Sequence, residues 1–257
     1  HPEAIAAFRQ ALELAPGRAD IHYNLANVYK TLGQDAQAVE SLRRSLELDP
    51  GFVPAYNNLG TVYERLERYD EAITAYRRGL ERDFNQPNLH YNLGIALQKQ
   101  GDLREAQSQF EQAIKARPGW VEAMNNLGVV LQRQGRHQEA LQVFQRILKI
   151  DPANLQAHNN LGVTCAALDM GDRAVEHYRA ALAADPSYFP AVSNLGSALE
   201  ARGHYSEALA EFSRLVELDP ANLDARFRLA NAYSFLERYQ EAAALLQEIL
   251  AVEPEHA

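Results

Sequence analysis

The sequence predicts an all-α protein, an α-solenoid of stacked helix pairs, and three observations carry that prediction. A 34-residue period runs through the 257 residues, and a period of that length marks stacked supersecondary units. Each period holds two apolar stripes with helical spacing. Small and large apolar residues recur at fixed offsets, as two closely approaching helices require.

The elements follow in order when positions are counted from Ala19. Residues 1–18 form a half repeat that matches only a second helix, with Ala4, Phe8 and Ala11 in the expected places. Seven units follow: 19–52, 53–86, 87–120, 121–154, 155–188, 189–222 and 223–256. In the first helix of each, position 7 is leucine, from Leu25 through Leu59, Leu93, Leu127, Leu161 and Leu195 to Leu229. Position 8 is small: Ala26, Gly60, Gly94, Gly128, Gly162, Gly196 and Ala230. In the second helix position 20 is alanine, and position 24 is large: Leu42, Tyr76, Phe110, Phe144, Tyr178, Phe212 and Leu246. The start of that helix carries capping signals such as Asp102 and Glu105. Its end is written Asp-Pro at Asp49-Pro50, Asp151-Pro152, Asp185-Pro186 and Asp219-Pro220, because proline cannot continue a helix. Unit two has Phe84 in place of proline, so its Asp83–Gln86 connection is expected to differ in shape. The last unit ends without a further polar helix, so the chain reads as a piece of a longer protein or as an array with open ends. Ala243, Leu246 and Leu250 are the candidates for the exposed apolar end.

Composition bounds the partners. A content of 47% hydrophobic residues supports a continuous core, and no apolar run reaches the ~18 residues of a membrane span. The expectation is a soluble body without membrane insertion. A formal charge of −9 opposes nucleic acid as the main ligand. The single cysteine, Cys165, rules out an internal disulfide framework. That favours a reducing, cytoplasmic compartment without establishing one.

Leu-Gly at positions 7 and 8, Tyr or Leu at 11, Gly at 15, Ala at 20, Phe or Tyr at 24 and Pro at 32 resemble the tetratricopeptide repeat, and the likeness covers essentially the whole chain. It implies antiparallel helix pairs stacked into a right-handed superhelix whose concave groove is lined by the first helix of each pair.

The chemistry-bearing pattern is an asparagine at position 6: Asn24, Asn58, Asn92, Asn126, Asn160 and Asn194. At about 100° per residue, positions 4, 7, 8 and 11 fall on one arc and positions 2, 6, 9 and 13 on the opposite one. The amides therefore point away from the packed face, where asparagine has no helix propensity to recommend it. A carboxamide donates and accepts hydrogen bonds, so it can hold a peptide main chain whatever the side chains. Helices about 8–10 Å apart would meet an extended chain, rising ~3.3–3.6 Å per residue, about once every three residues. The column resembles the superhelical arm of O-linked N-acetylglucosamine transferases, where groove asparagines hold substrate peptides. The competing reading is simple duplication of a common family residue. Unit seven carries Arg228 instead, so the ladder should end there or meet a carboxylate.

Position 13 adds Arg65, Lys99 and Arg133, a basic column suited to acidic side chains or a C-terminal carboxylate. The rival explanation is a solvated helix end favoured by the dipole. Ala167 and Ala201 occupy the position in later units, so the groove becomes blander there, with Val163 contributing. Tyr23, Tyr91 and Phe227 at position 5 and Phe52 at position 34 are candidate anchors, while Trp120 and Tyr188, also at position 34, fit covers for the loops between units. The family's carboxylate clamp for chaperone tails is disfavoured: Asn27, Asn58 and Lys99 match it, but Tyr23 and Ile95 stand where lysines are required. His22, His90 and His158 at position 4 lie two units apart, too far to share a metal, and read as packing. Cys165 reads as a buried, inert thiol. No catalytic constellation, metal site or cofactor motif emerges.

The resulting expectation is a non-enzymatic interaction scaffold that holds an extended peptide or partner segment. The alternatives are the substrate-recruiting arm of a larger enzyme such as a glycosyltransferase, and a structural protein that self-associates through open solenoid ends.

Overall fold

A computed structural model describes residues 2–252, and among them all regular structure is helical. The packing divides the chain into two compact bodies between Gln134 and Gly135. The first holds α1 (Pro2–Leu14), α2 (Ala19–Thr31), α3 (Asp35–Leu48), α4 (Val53–Arg65), α5 (Tyr69–Arg82), α6 (Pro87–Gln100), α7 (Leu103–Ala116) and α8 (Val121–Arg133). The second holds α9 (His137–Ile150), α10 (Leu155–Ala167), α11 (Gly171–Ala184), α12 (Phe189–Ala201), α13 (Tyr205–Leu218), α14 (Leu223–Phe235) and α15 (Tyr239–Val252). In the first body α2 packs on α3, α4 on α5 and α6 on α7, and the first helices α2, α4, α6 and α8 also touch in sequence. In the second, α10 packs on α11, α12 on α13 and α14 on α15, with α10 also meeting α12. This is the all-α solenoid arrangement of helix pairs.

The glycine column explains how each pair closes. A methyl group built at Gly94 would sit 2.7 Å from the Phe110 ring, and one at Gly196 would sit 2.6 Å from Phe212. Gly60 is covered as tightly by Tyr76, and Gly162 by Tyr178. The rings of Tyr76, Phe110 and Phe212 are fully buried, and burying a side chain of that size stabilises by roughly 1.5–3 kcal/mol. Where position 24 is a slimmer leucine, Leu42 or Leu246, position 8 is Ala26 or Ala230.

The turns repeat as strictly as the core. Inside the pairs, position 15 takes a left-handed backbone at Gly33, Gly101, Gly135 and Gly203, and also at Glu67, Asp169 and Glu237. Between pairs, an aspartate carboxylate receives the backbone N–H two residues on: Gly51 to Asp49 at 2.9 Å, Ala153 to Asp151 at 3.3 Å, Ser187 to Asp185 at 2.9 Å and Ala221 to Asp219 at 3.2 Å. The turn at Phe84 corrects the expectation of a different shape. The Asn85 N–H reaches Asp83 at 3.0 Å, and Asp83 at φ −144°, ψ 104° matches Asp49 at φ −137°, ψ 90°. The aspartate, rather than the proline ring, sets this connection. Phe84 is left 61% exposed, edge-on to His90 at 4.9 Å.

The position-4 column has a specific packing role that spacing alone did not disclose. His90 donates Nε2–H to the Phe84 carbonyl at 2.9 Å, His158 to Pro152 at 3.0 Å, and Tyr56 gives its hydroxyl proton to Pro50 at 3.2 Å. Each side chain satisfies a carbonyl of the preceding turn that no helix can serve. At the far end of the second body, Ala243 is exposed, Leu246 half-buried and Leu250 39% exposed.

Candidate functional site

The asparagine column lies on the first helices, and Asn58, Asn92, Asn126 and Asn194 are anchored to the first helix of the preceding unit. In the first body, Asn58 Nδ2 donates to Asn27 Oδ1 at 2.6 Å, while its own Oδ1 accepts from Lys30 Nζ at 3.3 Å. Asn92 Nδ2 donates to Asn57 Oδ1 at 2.9 Å, and Asn126 Nδ2 to the Tyr91 hydroxyl at 3.2 Å. Asn24 is exposed and makes no side-chain hydrogen bond among the described residues. In the second body, Asn194 Nδ2 reaches Asn159 Oδ1 at 3.0 Å, and Asn160 is half-buried on α10. These bonds supply a structural reason for asparagine that the sequence did not reveal. Each is a tie between neighbouring first helices, contributing about 1 kcal/mol.

The ties leave different amounts of each amide available. Asn58 is buried at 9% exposure and has both ends engaged. Asn92, Asn126 and Asn194 are half-buried, and among the described residues no protein donor reaches their Oδ1. Each therefore holds one fixed N–H and offers an acceptor oxygen with both lone pairs unused. Where the ladder stops, Arg228 donates to Asp224 on its own helix at 2.7 Å and to Ser197 Oγ at 2.9 Å.

The basic column is unequal. The Arg65 guanidinium grips the Asp35 carboxylate, with Nε to Oδ2 at 3.0 Å, and donates to the Lys30 carbonyl at 3.1 Å. Arg133 donates to the Gln98 carbonyl at 3.4 Å. Lys99 is exposed and forms no hydrogen bond or ion pair among the described residues. Its charge acts on Glu64, a half-buried carboxylate that accepts the Tyr76 hydroxyl proton at 3.0 Å. Burial raises the Glu64 pKa, opposed by the Tyr76 bond and by Lys99. Burial, reinforced by Glu64, likewise raises that of the Tyr76 hydroxyl. Sequence reasoning missed Glu64 and Lys30. The usable signal for Glu64 was a tyrosine, rather than phenylalanine, at a core position, since a buried hydroxyl needs a partner.

The aromatic candidates are held by their neighbours. Tyr23 meets Phe52 edge-on at 5.0 Å, and Tyr91 packs against Trp120 at 4.5 Å. Both Phe52 and Trp120 therefore brace a position-5 tyrosine of their own unit. A recess of about 210 Å³ opens beside Tyr23, with Pro54, Asn57, Asn58 and Asn88 in its wall. Phe227 is 45% exposed and Val163 38%. Cys165 is buried, and burial pushes its thiol pKa up. Among the described residues no helix is long and apolar enough to cross a membrane.

No curated protein matches the chain. Among solved structures, YrrB, described as a TPR protein with an unusual peptide-binding site, is 28% identical with a TM-score of 0.65, covering 72% of this chain and 96% of its own. MamA from Desulfovibrio magneticus RS-1 is 24% identical with a TM-score of 0.61, covering 66% and 96%. PilW, a type IV pilus biogenesis factor, is 21% identical with a TM-score of 0.72, covering 80% and 94%. The last two show the fold alone. Family models for the tetratricopeptide repeat match residues 91–154, residues 54–119, and residues 1–61, 131–199 and 199–257. With the paired helices, the covered glycines and the repeated turns already described, these matches show that the chain belongs to the tetratricopeptide repeat family.

Proposed function

We propose that this protein is an interaction scaffold whose first helices hold an extended peptide or partner segment through its main chain. One observation carries the reading: among the described residues no protein donor reaches the Oδ1 atoms of Asn92 and Asn126, while their amide nitrogens are pinned to the first helix of the preceding unit. A pinned amide has already lost its rotamer freedom, so accepting a peptide N–H costs it little further entropy. In the first body, Tyr91 stands beside this row as an apolar anchor, and Lys99 offers a cation for an acidic side chain or a terminal carboxylate. Asn58 stiffens the row, and Arg65 and Arg133 brace the helix ends. In the second body Asn160 and Asn194 supply amides beside Val163, Ala167 and Ala201, a surface suited to an apolar segment. YrrB supports a peptide ligand by its description, and the formal charge of −9 disfavours nucleic acid.

Binding to an extended-peptide library tests the proposal. Asn92→Ala with Asn126→Ala should weaken the selected peptides by about tenfold or more, the equivalent of 1.4 kcal/mol, while circular dichroism shows the helices intact. Unchanged affinity in a folded double variant would leave the amides as ties and nothing else.

A further inference from the structure

We propose that His158 on α10 and His177 on α11 form a binding site for a divalent transition-metal ion of the zinc, nickel or copper class. Their Nδ1 atoms stand 3.3 Å apart, with ring centroids at 5.5 Å. Two imidazole nitrogens bound to one tetrahedral ion at ~2.0–2.1 Å lie about 3.3–3.4 Å from each other, so the observed separation already fits. His158 donates Nε2–H to the Pro152 carbonyl at 3.0 Å. That bond fixes the tautomer and leaves Nδ1 unprotonated, the arrangement in which metal-binding histidines are held. In the resting pair the His177 Nδ1 proton bridges to His158. On metal binding it relocates through solvent to His177 Nε2, so both rings stay neutral and no net proton is released.

The surroundings suit a modest site. Both rings are half-buried, which leaves a path for the ion and for the waters that complete its coordination. Arg173 lies close enough to act electrostatically on His177. Glu176 acts in the opposite direction and partly offsets the repulsion between Arg173 and a dication. No third side chain in ligating geometry joins the pair among the described residues. The feature also stands apart within the repeat. The same two positions hold His90 and Gln109 on α6 and α7, where Nδ1 faces Oε1 at 2.7 Å, and His22 and Ser41 on α2 and α3.

The probe is zinc chloride titrated calorimetrically into the full chain, repeated with His177→Gln and His90→Gln. His177→Gln installs the imidazole–carboxamide pair that α6 and α7 already tolerate, so the fold should survive. Wild type and His90→Gln should bind one equivalent at micromolar affinity, raising the melting temperature. His177→Gln should lose that equivalent, or bind it at least ~10-fold more weakly. Long-range ¹H–¹⁵N spectra should show the His158 and His177 Nδ1 resonances shifting with zinc. Identical isotherms for wild type and His177→Gln, or unmoved Nδ1 resonances at saturation, would overturn the site.

Discussion

The seam between α4 and α5 and the seam between α10 and α11 are built alike, whereas the outward sides of α4 and α10 are not. In both seams a tyrosine ring, Tyr76 or Tyr178, lies over a glycine that leaves no room for a methyl group. Their environments then diverge. The Tyr76 hydroxyl meets Glu64, whereas the Tyr178 hydroxyl lies near Cys165, and burial pushes its pKa up to about 12. The helices end differently as well. Arg65 closes α4 with an ion pair to Asp35, and Ala167 closes α10 with a bare methyl. The two seams meet the same packing demand in the same way, so the variation between them is concentrated on residues whose change costs the fold little. Such positions are where recognition can be written.

The comparison breaks most visibly if the seams are disturbed. Phe110→Ala should cost about 3–5 kcal/mol, read by urea denaturation, because the fully buried ring leaves a cavity the glycine opposite cannot fill. Gly60→Ala and Gly162→Ala should each cost roughly 1–3 kcal/mol by overpacking, and equal penalties would confirm that the two seams are equivalent. A negligible cost at either would show that its ring can swing aside. On the outward side, Asn92→Ala and Asn194→Ala should each lose only about 1 kcal/mol of stability. Peptide titrations should then separate the two bodies, with acidic ligands sensitive to Asn92 and Lys99, and apolar ligands sensitive to Asn194.

A smaller effect depends on pH. Burial of His22, with Arg44 assisting, holds its pKa below the ordinary 6.5 despite the bond to the Pro16 carbonyl. The unfolded chain therefore takes up this proton at a higher pH than the fold does. Stability should be level above about pH 6.5 and fall as the pH drops below it. Thermal melts of His22→Gln should show a shallower decline than wild type over that window. The smallest change is a gain. Glu67→Gly should stabilise by roughly 0.5–1 kcal/mol by relieving a left-handed backbone at φ 56°, whereas Gly101→Ala should lose about as much.

The period, the paired helices and the glycine-under-ring seams were legible because packing repeats in the sequence as it does in space. The turn at Phe84 was misjudged because the eye follows proline, whereas the aspartate carboxylate makes the bond that shapes the chain there. Helical spacing set every amide of the column away from the packed face, whereas Asn24 is exposed, Asn92, Asn126, Asn160 and Asn194 are half-buried and Asn58 is buried. Their attachment to the first helix of the preceding unit did not follow from that spacing, because a bond from Asn92 to Asn57 or from Asn194 to Asn159 crosses 35 residues and depends on how two units nest. Glu64 was invisible for the same reason: its partner lies on the next helix and carries no charge. His177 went unnoticed because only its column partner, His158, belongs to a repeated pattern.

The bond from Asn58 to Asn27, flanked by Lys30, joins α4 to α2 on the side away from the seams. It acts as a spacer as well as a fastener, since it prescribes how far apart two successive rungs stand. Lengthening Asn58 to glutamine would push α2 and α4 apart without emptying the core. A ligand matched to the original interval would then be out of step by a fraction of a residue, so the preferred phasing of peptide sequences would change before the melting temperature did.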